Sequence, residues 1–426
     1  MRPYAAPIVA GVKLGDVANA DAAGWGKPLD GVRVLAAEQM QALPYATQLL
    51  ARLGADVVKI EPPERGDSGR ASSPALVDGD GRRVGATYLR NNLAKRSIAL
   101  DLQQPAGREL FERLVPRFDV IAENMRPGAM DRLGLGYARI AALAPAAIYL
   151  SISGFGRTTE SPYASWPAYA PVAEAMAGLY EPNRRDDAPP PVVVAGALGD
   201  IASALFAAIG VLCALRHRDR IGLGQYVDVA MLDAMLAVSD MPPFLWSMGA
   251  PERWAASGSI GICAGFRALD GHFVVAIFRE HQFERLARAV GHPEWIGDPR
   301  FSTREGWAAH TDSVVRPALE SWARERSKLD AARALCELGI AAGPSNTAAD
   351  LVADPHVALR DMLTEVPRPD GGREMLVVGN PVKLSRVSEG PVSRFPRLGE
   401  HTEELLGELG IGGRELAALR ERGVIA

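Results

Sequence analysis

The sequence predicts an α/β fold: a Rossmann-like large domain on a parallel sheet, joined to a smaller α+β domain. Three observations carry this reading. Short apolar β-like runs alternate with helix-period segments between Val32 and Ser153. Each strand–helix–strand unit occupies about 30 residues, which demands a right-handed crossover and therefore parallel strands. Beyond Met235 the alternation stops, and helical segments with one β-like run follow.

In chain order, residues 1–28 read as an N-terminal arm, because the apolar run Ala5–Val12 is too short for a signal-peptide core or a membrane span. Val32–Ala36 (VRVLA) predicts the first strand, Tyr45–Leu53 a helix ended by Gly54, and Asp56–Glu61 (DVVKIE) the next strand. Arg96–Leu102 is a strand, Pro105–Val115 a helix, and Asp119–Glu123 a strand. Tyr137–Ala144 is a helix and Ala147–Ser153 a strand. Pro182–Pro191 (PNRRDDAPPP) is a polar, proline-rich loop, and Ile201–Leu215 an apolar helix that reads as buried. His272–Ile277 is a strand among the helices Glu280–Val290 and Pro317–Arg324, the latter opening with a proline whose missing N–H costs nothing there. Thr402–Leu409 and Arg414–Gly423 form a helical hairpin turning at Gly410, Gly412 and Gly413. The domains are therefore placed at 29–245 (large), 246–355 (small) and 356–426 (C-terminal segment).

Composition excludes several function classes. Among 426 residues, 47 Lys and Arg face 51 Asp and Glu, a net charge of -4 that argues against a nucleic-acid or membrane-surface binder. Three cysteines cannot make a disulfide scaffold, and the expectation is a cytoplasmic enzyme. The seven histidines show no HxxxH or HExxH spacing, and Cys213, Cys263 and Cys336 lie far apart, so no metal site is expected. Gly134-Leu135-Gly136 and Gly154-Phe155-Gly156 do not extend to GxGxxG, and neither a P-loop nor a GxSxG elbow occurs. The second pair follows a strand, at the carboxyl edge where open α/β sheets bind ligands.

Val194–Leu215 is more informative. The small-residue loop Ala195–Gly199 runs into Asp200 and then an apolar helix. Asp there reads first as an N-cap, its carboxylate accepting first-turn N–H groups that favour the ionised form. Small neighbours also let a substrate carbonyl approach that carboxylate, with nearby N–H groups to hold an oxyanion. Basic residues gather between Arg65 and Arg132, among them Arg70, Arg82, Arg83, Arg90, Lys95, Arg96 and Arg126. With acids interspersed they read either as a solvated face or as a grip for a phosphate-rich small ligand.

Several segments stand together in a familiar order: PLDGVRVL at 28–35, QLLARLGADVVKIEPPERGD at 48–67, NNLAKRSIALDL at 91–102, ENMRPGAMDRLGLGY at 123–137, SISGFG at 151–156, the GALGD segment at 196–235, GIAAGPSNTAADLVADPHVALRDM at 339–362 and GNPVKLS at 379–385. Their order resembles the class III CoA-transferases and the related α-methylacyl-CoA racemases (the CaiB/BaiF family). The resemblance implies an interlocked homodimer and a C-terminal segment that returns to the large domain. It implies that Asp200 is the nucleophile, that Met40, Gln41 and Ala42 contact CoA and the acyl group, and that Leu100, Asn124, Met125 and Arg132 hold the adenine and phosphates. Arg70, from the basic stretch, is added to the CoA contacts.

The substrates implied are an acyl-CoA and a free carboxylic acid, with no permanently bound cofactor and no nucleic-acid or membrane partner. Tyr169 stands where the racemases carry His, and Ala170 where an acid is common in both branches. Tyr169 and Gly199 are assigned to the substrate pocket. The leading expectation is a CoA-transferase working through an aspartyl-CoA thioester. The alternatives are an acyl-CoA racemase or epimerase, and a catalytically impaired acyl-CoA-binding partner subunit.

Overall fold

The computed structural model describes residues 26–158, 160–181, 184, 188–192, 196–249, 261–384, 386–387 and 394–426. All but the last three residues of the expected N-terminal arm lie outside them. The chain forms two compact units: Met1–Leu179, Val192–Asp240 and Pro355–Ala426 in the first, Tyr180–Pro191 and Met241–Asp354 in the second. The second unit thus takes in the proline-rich segment, and its main stretch runs from Met241 to Asp354.

In the first unit the strands are β1 (Arg33–Ala37), β2 (Asp56–Glu61), β3 (Ala75–Val77), β4 (Arg83–Gly85), β5 (Arg96–Ala99), β6 (Val120–Glu123), β7 (Ile148–Ser153) and β8 (Tyr226–Ala230). Six of them make one sheet in the order β5-β2-β1-β6-β7-β8, with every pairing parallel. The chain winds outward from β1 in one direction and from β6 in the other. The crevice at the carboxyl ends of β1 and β6 is therefore the topological switch point, where such sheets bind ligands. Strands covered on both faces need apolar residues throughout, and all six residues of β7 are buried. β3 and β4 pair as a short antiparallel hairpin that the sequence pattern did not announce.

Four helices build the site: α1 (Ala42–Arg52), α2 (Ala86–Asn91), α3 (Ala170–Met176) and α4 (Leu198–Ile221). α4 runs past both ends of the expected Ile201–Leu215, stopping at Gly222 in the left-handed conformation. Its 24 residues are long and apolar enough to cross a membrane by length and composition. In this fold it packs on α1, β7 and β8 through Ala204, Ala207, Val211 and Ala214. The expectation of a wholly buried helix is corrected: Leu205, Phe206, Ile209 and Leu212 are exposed, as is Cys213. An apolar helix without a polar stripe carries no signal of which side faces the core.

The C-terminal segment belongs to the first unit and covers the β5 edge. His401 accepts from Ser97 N, Thr402 Oγ1 accepts from Ala99 N (3.1 Å), and Leu100 bridges to Ile425. Its helices are Thr402–Gly407 and Gly413–Glu421. The second unit carries β9 (Ile262–Ala268), β10 (Gly271–Ile277) and β11 (Ala341–Pro344) as an antiparallel sheet in the order β11-β10-β9. Its core includes Phe266, Phe273, Phe283, Trp295, Phe301 and Trp307.

A buried ion network lies under the switch point. Lys59 Nζ is 2.6 Å from Asp67 and 3.4 Å from Glu38, and Lys95 Nζ is 2.7 Å from the same Glu38 oxygen. All four side chains are fully enclosed. Glu61 accepts from Arg70 Nε and Nη2 at 2.7 and 2.8 Å, and Arg70 stacks on Tyr88 at 3.6 Å. Burial opposes ionisation of Glu61, but Arg70 and then Lys59 outweigh it and hold the carboxyl at about 2. Removing one member leaves a buried charge unpaired. Glu38→Ala is expected to cost about 3–5 kcal/mol of stability, read as a fall in the urea unfolding midpoint at pH 7.5.

Candidate active site

The loop after β1 is pinned at every step. Glu38 is held by the two lysines. Gln39 N donates to Asn124 Oδ1 (3.0 Å), whose Nδ2 donates back to Gln39 O (2.9 Å). Met40 N donates to Asp67 Oδ1 (2.9 Å), and Met40 takes a φ of 65°, which a non-glycine residue holds only under external restraint. Gln41 follows, buried at the head of α1, and its side chain crosses to two other elements. Its Nε2 donates to Gly196 O (3.4 Å), and its Oε1 accepts from Arg90 Nη2 (2.5 Å) on α2.

The Gly196–Asp200 turn meets Gln41 from the other side. Ala197, the N-cap of α4, has a φ of 47°, so each of the two loops at this point carries a left-handed non-glycine residue. Asp200 is the third residue of the helix, and the expected capping role is corrected: Ala197 holds the N-cap position and makes no side-chain capping bond. The N–H of Gly199 is not open to an oxyanion, because it donates to Glu174 Oε1 (2.8 Å) on α3. Gly199 packs closely on α3, since a Cβ there would lie 3.0 Å from Ala170 Cα and 3.2 Å from Ala170 Cβ.

The electrostatics of Asp200 reverse the sequence expectation. Helix N-terminal N–H groups favour the carboxylate, but burial disfavours it more, and the buried Glu174 adds like charge. With Arg90 pulling the other way, the Asp200 carboxyl is pushed up to about 6. The side chain is thus largely ionised at neutral pH yet more basic than a surface aspartate, which suits a nucleophile.

A cavity of about 490 Å³ opens at the carboxyl ends of β1, β2, β5 and β6. Its lining includes Gln39, Arg65, Ser68, Leu100, Gln103 and Met125, and the size falls in the range of small-ligand sites. The expected residues sort accordingly. Leu100 and Met125 line the cavity, and Asn124 clamps the loop that borders it. Met40, Gln41 and Ala42 run from that loop into α1. Arg132 is exposed and donates to Pro127 O (3.2 Å). Tyr169 is 70% exposed at the head of α3. Arg70 is enclosed and committed to Glu61, Lys95 to Glu38, and Arg96 to Asp56 and Glu404. Three members of the basic stretch are therefore taken up by ion pairs within the fold, while Arg65 lines the cavity.

The Gly154–Gly156 turn likewise closes on itself. Gly156 N donates to Ser153 Oγ and Arg157 N to Asp228 Oδ2. Among the described residues, no group of three His, Cys, Asp or Glu is placed to hold a metal ion.

Residues 29–402 match CoA-transferase family III. The chain belongs to that family, and it is a CoA-transferase by descent. It is 38% identical over 392 residues to the succinyl-CoA:mesaconate CoA-transferase of Haloarcula hispanica, covering 90% of this chain and 97% of that one. It is 34% identical over 419 residues to the formyl-CoA:oxalate CoA-transferase of Streptomyces coelicolor, covering 94% and 99%. A CaiB/BaiF family protein from Brucella suis has a similar structure, with a TM-score of 0.78 at 32% identity, covering 90% of this chain and all of that one.

Two site residues escaped the sequence reading. Glu174 lies one helical turn beyond Ala170, on the same face of α3, and an acid inside PVAEAMAGL was the available signal. Arg90 was visible only as one of many arginines. Glu174→Gln keeps an oxygen for the Gly199 N–H while removing the neighbouring charge. The acid limb of the kcat/KM profile, set by deprotonation of Asp200 near pH 6, is expected to move down by about half a unit or more. Steady-state rates between pH 4.5 and 8 check this.

Proposed function

We propose that this transferase moves CoA from an acyl-CoA to a free carboxylic acid through an aspartyl-CoA thioester on Asp200. The observation that carries the reading is the Gln41 bridge. It joins the loop bordering the cavity to the turn bearing a half-buried carboxylate whose proton affinity is raised. An Asp200 oxygen attacks the thioester carbonyl, and CoA leaves as thiolate, giving a mixed anhydride. The thiolate returns to the Asp200 acyl carbon and releases the donor acid, leaving aspartyl-CoA. The acceptor carboxylate attacks that thioester and expels the thiolate again. The thiolate then takes the acceptor's acyl carbon from the second anhydride and frees Asp200. No net proton is consumed, and every intermediate is an acid derivative of comparable energy. Gln41 holds the attacked groups beside Asp200.

The family names above pair a CoA thioester with mesaconate or oxalate, and both acids support a carboxylate acceptor here. We propose further that the exposed apolar residues Leu205, Phe206, Ile209 and Leu212 of α4 are covered by a second copy of the chain. Light scattering is expected to give twice the 45.4 kDa chain mass, and Phe206→Glu to lower it to one chain.

Hydroxylamine added during turnover with succinyl-CoA is expected to leave a hydroxamate on the Asp200 peptide, detected by mass spectrometry. Asp200→Ala should lose the adduct and at least about a thousand-fold in exchange rate. An unmodified Asp200 peptide together with undiminished exchange by Asp200→Ala would overturn the nucleophile assignment.

A further inference from the structure

Arg90 differs from the arginines that are paired with acids around the sheet, and it alone among the described residues donates to the Gln41 side chain. Arg70, Arg96 and Arg157 are each paired with a carboxylate, Glu61, Asp56 and Glu123 respectively. Arg90 is exposed and, among the described residues, forms no ion pair; only its Nη2 is bonded, to the Gln41 side chain. Gln41 also reaches Gly196, in the turn that presents Asp200. The guanidinium is therefore held at the nucleophile's site with Nε and Nη1 lacking partners, close enough to act on Asp200 but outside ion-pair distance of it.

Charge balance during turnover gives this placement a consequence. When Asp200 is esterified by CoA its negative charge is gone, and the groups left around the turn are buried Glu174 and the Arg90 cation. An incoming acid brings one carboxylate that must react at the Asp200 acyl carbon. A second carboxylate on the same acid meets the unused edge of a planar guanidinium, which is built for two parallel hydrogen bonds to carboxylate. A monocarboxylic acid would leave that edge to water.

Resting on the transferase reading above, we propose that Arg90 is the specificity residue for a non-reacting carboxylate, so that the acids exchanged are dicarboxylic. The test compares acceptors matched in length, glutarate with pentanoate and adipate with hexanoate, on enzyme loaded with saturating succinyl-CoA. Wild type is expected to favour the dicarboxylic member of each pair in kcat/KM. Arg90→Gln should cut that preference by about 10- to 100-fold, mainly through the acceptor KM, and Arg90→Lys should restore part of it. Equal losses for both members of a pair would overturn the proposal and assign Arg90 to Gln41 or Asp200 instead. A wild-type preference for monocarboxylic acids would overturn it too. The Asp200 hydroxamate separates these failures from failure of the transferase reading. If it forms without dicarboxylate preference, only the Arg90 proposal falls, and if no acid accepts CoA and no hydroxamate forms, both fall.

Discussion

Everything at the site hangs on a set of charges that water does not reach. Glu38, Glu61 and Asp67 face Lys59, Lys95 and Arg70 beneath the carboxyl ends of β1 and β2. In so enclosed a place an unpaired ion is far more costly than a mispaired one on the surface, so each member is fixed by the rest. That rigidity passes directly into function. Asp67 uses one carboxylate for Lys59, for Met40 N and for Gly69 N. The strained Met40 backbone is thereby part of the same network, and Gln41 emerges from it with little freedom. A glutamine asked to orient a reacting acyl group is useful only on such a support.

Asp200 shows how competing electrostatic effects are decided by depth. Three residues into α4 it stands near the positive end of a long helix dipole, yet burial and Glu174 prevail. The dipole acts from partial charges over a turn, whereas desolvation and a neighbouring full charge act on the whole carboxylate. Glu174 has a second effect through its hydrogen bond to Gly199 N, which takes a donor out of the set available to an oxyanion and fixes the turn. One buried acid thus steadies the turn that carries Asp200 and adds to the effect of burial on its basicity.

Much of the fold was legible because its signals are local. DVVKIE and AIYLSIS are runs that only a strand covered on both faces tolerates, and their spacing with Tyr45–Leu53 and Tyr137–Ala144 forces parallel crossovers. The GALGD turn was visible as small residues ahead of a helix, and the family order of motifs pointed to Asp200. Arg70, Lys95 and Arg96 misled because a cation's sequence neighbours do not tell whether its partner is a phosphate or a glutamate on the next strand. β9 stayed hidden because Gly265 and Arg267 interrupt its apolar pattern, and β10 supplies its other half only in space.

The sequence by itself determined the α/β class, the parallel pairing, the family and the identity of the candidate nucleophile, since each rests on periodicity or on the order of adjacent residues. Only the tertiary structure decided which charges pair with one another inside the fold. It alone brought Gln41, Arg90, Glu174 and Asp200 together from four separate helices or their leading turns. It also set the proton affinity of Asp200, because burial and through-space charge depend on what folds over a residue and not on what precedes it in the chain.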